Sequence, residues 1–196
     1  MCRVKLWNCN FMNEYETVYD VHSKTYTALF NTGLHLLDMA ERYELGSTLN
    51  LQSAIVFIAF TFEAYLNHVG EEEIKFWDEI DRISHAKKLT VLEKHLGFDK
   101  SKSSFNTVKE LFEMRNNFAH GRTVRETIVK VSKAPFPAFD AWTLLPREQL
   151  TKETVRHYFD DVKASIELIN ASRKEPDELL WDEGSRGGTT RSLPTS

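Results

Sequence analysis

Cysteine is nearly missing. The chain has two, Cys2 and Cys9, both close to the N-terminus. That is too few for a disulfide framework, and their spacing makes no metal motif. Excess positive charge is missing too: the net charge is -4. A globally basic nucleic-acid binder is therefore excluded, and any nucleic-acid site has to be local. Long hydrophobic runs are absent. The longest, Ala54 to Phe60, is too short to span a bilayer. The opening MCRVKLWNCNF has no unbroken apolar stretch of the signal-peptide kind. No internal repeat is visible. A soluble cytoplasmic protein without a membrane segment is expected. Its 196 residues, 41% of them hydrophobic, suffice for one domain with a genuine core.

What is present is helical periodicity, so the expected class is all-α. Glu16 to Tyr43 carries Val18, Tyr19, Tyr26, Leu29, Phe30, Leu34, Leu37 and Ala40 at helical spacing, with Gly46 as a stop. NLQSAIVFIAFTFEAYLNHVG has Ser47 or Asn50 as a cap and Gly70 as its end. It is apolar on all sides, as the most buried helix of a domain is. The acidic EEEIKFWDEI reads as a short helix or turn with a solvated surface. Ser84 opens an amphipathic helix with Ala86, Leu89, Leu92 and Leu96 on one side. A further helix runs from about Ser104 to His120. Past Gly121, TVRETIVKV alternates at period two and AWTLL can return as its partner, so a short β-hairpin-like insertion is expected over 122–147. Leu150 or Thr151 opens a last helix with Val155, Phe159, Val162, Ile166 and Ile169 as its stripe. These elements predict a single domain over 1–175. Residues 176–196 lose periodicity and read as a disordered tail.

One residue breaks the pattern. Val108, Leu111, Phe112, Phe118 and Ala119 make an apolar stripe, and Arg115 falls in the middle of it. A guanidinium cannot shed its proton, and burying it alone is very costly. It needs either an acidic partner or a face open to solvent and ligand. Glu63, in the most apolar helix, is the candidate partner, with Asn67 one turn further on. His120 follows Arg115 by five residues, so on an ideal helix their side chains diverge by roughly 140°. Gly121 loosens that end. The dipole there favours a protonated imidazole, which suits proton exchange near neutrality.

RNNFAH, Arg115 to His120, resembles the R-N-x-x-x-H form of the motif that marks HEPN domains. Of the arginines in this chain, only Arg115 has a histidine at that spacing. The order of helices from Thr17 to Arg173 is similar to that family's antiparallel bundle. The resemblance implies a metal-independent endoribonuclease, needing no cofactor. It implies a homodimer in which two motifs face one cleft, acting on RNA in a toxin–antitoxin or antiviral defence role. A partner such as an antitoxin would then restrain it. Arg115 would neutralise the scissile phosphate. His120 would transfer protons as the ribose 2′-hydroxyl attacks. Asn116 would orient the motif, and Glu63 would hold Arg115. The family also has members without activity, which implies an alternative: a helical module that binds a partner protein or a nucleotide.

The remaining polar residues read as ordinary structure. His68, His85, His95 and His157 have no zinc spacing. His85 with Lys87 and Lys88 reads as a solvated helix face. Trp77 and Trp142 read as core or interface.

Overall fold

The computed structural model describes residues 24–119, 150–179 and 181 with their side chains, and 15–23 and 186–194 as backbone. The chain divides into two units, residues 24–184 and the two terminal segments 1–23 and 185–196. In the first, the described residues form six helices: α1 (Thr25–Arg42), α2 (Ser47–Glu73), α3 (Trp77–Ile80), α4 (His85–Leu96), α5 (Ser103–Ala119) and α6 (Lys152–Ala171). The described residues of this unit are all-α, as their periodicity dictates. In the second, β1 (Tyr15–Ser23) pairs antiparallel with β2 (Arg186–Pro194), Tyr19 opposite Thr190.

That strand pair corrects two expectations. Residues 15–23 are not the first turns of a long helix. Tyr15, Thr17, Tyr19 and Val21 are β-branched or aromatic residues at period two, which favours an extended chain. Nor is the chain structureless from Pro176. Trp181 is buried against Phe30, with ring centroids 4.7 Å apart, and residues 186–194 form β2. Val18 and Tyr19 also fit the helical spacing of the residues after them, and polar composition concealed the second strand; each strand depends on a partner distant in sequence. The expected insertion over 122–147, with Trp142, lies outside the described residues, as do Cys2 and Cys9.

The helical unit is organised around α2. It packs on α1, α3, α4, α5 and α6. Its buried residues run Leu51, Ala54, Ile55, Ile58, Ala59, Phe62, Tyr65, Leu66 and Val69, a stripe at steps of three and four along one broad face. On the other side Phe57 and Ala64 are half-buried and Phe60 is exposed, so the helix that reads as apolar all round is not covered all round. Burying one Leu, Ile or Phe of this kind contributes about 1.5–3 kcal/mol. α2 also has the length and mean hydropathy, 1.4, that would let a helix cross a membrane, but half of that stretch is buried inside the bundle, as in a core helix. α1 presents Tyr26, Phe30, Gly33, Leu37 and Ala40 inward at alternating steps of four and three. α6 presents the stripe anticipated for it, with Val155, Phe159, Val162, Ile166 and Ile169 all buried. Thr151 caps α6: its Oγ1 accepts the Thr154 N–H at 3.1 Å, which satisfies one of the free donors of the first turn.

Gly70 does not end α2, which continues to Glu73. Its role is steric. A Cβ at Gly70 would lie 2.1 Å from the indole of Trp77, the buried residue that opens α3. Gly33 has a similar role in α1, where a Cβ would meet the Phe159 ring at 2.8 Å.

Alanine in a helix interior ordinarily gains about 0.5–1 kcal/mol over glycine. At Gly70 the sign is expected to reverse. Gly70→Ala must displace Trp77 and should lose about 1–3 kcal/mol, read as a lower urea midpoint at unchanged slope.

Candidate functional site

The last turns of α5 approach α2 and the start of α4. α5 buries Phe105, Val108, Leu111 and Phe112, and past them the face is only partly covered, with Met114 and Phe118 packed against the core. Arg115 is half-buried, while Asn116 and Asn117 are exposed. The Arg115 guanidinium lies over the Phe60 ring, 5.1 Å from its centroid, a cation–π arrangement. Its Nη1 donates to Asn116 Oδ1 at 3.0 Å. Asn116 is thus joined to Arg115. His120 lies outside the described residues.

Glu63 does not hold Arg115. Its Oε1 is 3.7 Å from Lys88 Nζ, and among the described residues no ion pair joins Glu63 to Arg115. The reason is relative burial. Lys88 is 3% exposed, so its charge needs a counter-ion, whereas Arg115 keeps contact with water and an aromatic face. Asn67 is half-buried, and its Oδ1 is buried with no hydrogen-bond partner.

α4 turns its leucines to the core as anticipated, Leu92 buried and Leu89 and Leu96 partly buried against it, but Ala86 is not on that face. Ala86 is exposed and Lys88 and Leu92 are buried. His85 and Lys88 are therefore not a solvated basic face. The His85 ring is stacked on Phe112, centroids 3.5 Å apart and planes 11° from parallel. Burial, the largest effect, holds the His85 pKa below 6.5; Arg115 and Lys88 act in the same direction, and Glu63 opposes them. The shift favours the neutral imidazole, which keeps one acceptor nitrogen. The signal for Lys88 was its place one turn before Leu92. It was masked by its charge, which ordinarily marks a solvated position.

A second polar cluster joins α1, α2 and α6 to the segment after α6. Arg173, its side chain 4% exposed, donates to Glu73 at 3.0 Å, to Asp177 at 2.5 Å and to Glu72. Asp177 also binds Lys24 at 2.8 Å and His68 at 2.7 Å. Asn170 bonds both the carbonyl and the N–H of Asp177, each at 2.9 Å. Glu72 and Glu73 are therefore not merely a solvated acidic surface. His68, Glu72 and Asp177 have donor atoms within 4.8 Å of one another, as a metal site would need. Yet both Asp177 oxygens already hold cations, and the fixed charge of Arg173 stands among the three. The donor set fits an ion-pair anchor better than a metal centre. Burial pushes the Asp177 pKa up, but hydrogen bonds from Lys24, His68 and Arg173 outweigh it and hold the carboxyl well below the usual range.

Comparison with models of known protein families, with curated proteins and with solved structures finds no match to this chain.

A carboxyl with a depressed folded pKa stabilises the fold above its unfolded value, and the contribution is lost as acid protonates it. Asp177→Asn should therefore be less stable than wild type at pH 7. The gap in urea midpoint should shrink as pH drops below about 4, the unfolded carboxyl range. A gap independent of pH would show that Asp177 acts through packing rather than charge.

Proposed function

We propose that this chain is a metal-independent endoribonuclease of the HEPN kind. One observation carries the reading: Arg115 stands one turn before the end of α5, partly exposed, over the Phe60 ring and not paired with Glu63. A permanent cation kept accessible at the edge of a core suits an anionic ligand, and a guanidinium suits a phosphate bidentately. RNA brings its own nucleophile, the 2′-hydroxyl. The protein then has to position it, move protons and offset charge on phosphorus. In this reading Arg115 binds the scissile phosphate and Asn116 orients it. His120 transfers the protons, and a second copy of the chain supplies the opposing motif across a shared cleft. Glu63 has a different role from the one the resemblance implied, as the counter-ion of Lys88. A cytoplasmic toxin or antiviral defence protein restrained by a partner is the setting proposed for this activity. A helical module binding a partner protein or nucleotide is the alternative.

The test is cleavage of a mixed RNA pool in excess EDTA by wild type, Arg115→Ala and His120→Ala at matched folded concentration. Wild type is expected to leave cyclic-phosphate ends. Each variant should lose on the order of 100-fold or more in rate, the size of an electrostatic or acid–base contribution. Equal background in all three would rule the ribonuclease out for that pool and favour the binding module.

A further inference from the structure

Lys88 is the most deeply buried cation of the corner described above, and its charge is loosely compensated. Glu63, a third exposed, approaches its ammonium only to 3.7 Å, beyond hydrogen-bond distance. Among the described residues no hydrogen bond forms to that ammonium. Contrast Arg173, similarly buried but bonded to three carboxylates. The first turn of α4 adds positive potential rather than relieving it. It contains no acidic residue, and the Ser84 side chain makes no capping hydrogen bond, so the positive end of the helix dipole is left to water or a ligand. His85, the first residue of α4, lies on Phe112, three residues before Arg115 on α5. Lys88, Arg115 and Glu63 all act on it electrostatically. Two permanent cations and an uncapped helix start thus converge where Glu63 is the one carboxylate acting on His85.

We propose that the first turn of α4 and the last described turn of α5 form one phosphate-binding site. Lys88 is its second cation beside Arg115, and Glu63 is an internal anion that the incoming phosphate replaces. Glu63 can turn toward water, since a third of it is already exposed. Lys88 is held by its buried stem. The inference rests on the ribonuclease reading for the identity of the anion, a phosphodiester of RNA. The binding site itself does not require cleavage.

The experiment measures binding of a fluorescein-labelled 2′-O-methyl oligoribonucleotide, whose nucleophile is blocked, by anisotropy across a salt series. The full chain is compared with Lys88→Met and Glu63→Gln, each checked for native helicity. Lys88→Met keeps the buried stem and is expected to weaken binding about tenfold, with a shallower salt dependence by about 0.7 in the log–log slope, one phosphate contact on a single strand. Glu63→Gln is expected to tighten binding severalfold. Equal affinity and slope in all three proteins would overturn the site, as would no binding by wild type. If Lys88→Met does not fold, Glu63→Gln decides alone, and unchanged or weaker binding overturns the proposal. Cleavage of the unmodified RNA separates the two readings. Lys88-dependent binding with the RNA left intact keeps the site and removes the ribonuclease. Equal cleavage and equal KM in wild type and Lys88→Met keep the ribonuclease and remove the site.

Discussion

α2 carries the core along one broad face. Its buried residues recur at steps of three and four from Leu51 to Val69, and an apolar stripe of that length has to be covered by other helices. Five helices pack on it, and their packing follows from that demand. α1 opposes it through Tyr26 and Tyr65, whose rings meet edge-on at 5.0 Å. α5 opposes it through Phe112, 6.3 Å from Phe62. α3 is a single turn whose Trp77 fits only because Gly70 has no side chain. Surface pairs such as Arg156 with Glu41 at 2.7 Å contribute about 0–1 kcal/mol each, far less than the apolar contacts they flank.

Enclosing α2 brings three cations to the perimeter of the core, each accommodated differently. Arg173 is sealed in and meets three carboxylates and a clamped segment. Lys88 is sealed in and meets one carboxylate at long range. Arg115 is left partly open, over Phe60. Losing one partner of a buried pair typically costs about 3–5 kcal/mol, so the dense network around Arg173 is best understood as an anchor. The sparse surroundings of Lys88 and Arg115 stabilise less and leave charge available. That difference separates a structural cluster from a candidate binding corner.

Much of the helical unit was legible in the residues. α4 and α6 begin where Ser84 and Thr151 suggested, α5 begins at Ser103, one residue before the expected Ser104, and the α6 stripe is buried as read. These are local signals, period and cap, needing no partner. Arg115 was legible as an anomaly because its neighbours at three and four residues are apolar. Its lack of a partner in Glu63 was not, since the choice between Arg115 and Lys88 depends on how far each is buried. On α4 the leucine row was legible and the burial of Lys88 at its edge was not, because packing on α2 decides how far the covered face extends. The anchor at Asp177 was invisible, because Lys24, His68 and Arg173 come from three separate helical regions.

By itself the sequence determined that the body of the chain is helical, which helix is central, and that a charge stands at the end of α5 where the stripe calls for an apolar group. Periodicity decides these, and periodicity is a property of neighbours along the chain. Only the tertiary structure decided that residues 15–23 pair as a strand with 186–194, that Gly70 makes room rather than ends a helix, and that Glu63 serves Lys88. Pairing, close approach and counter-ion choice each depend on distances between residues far apart in sequence. No local pattern encodes them.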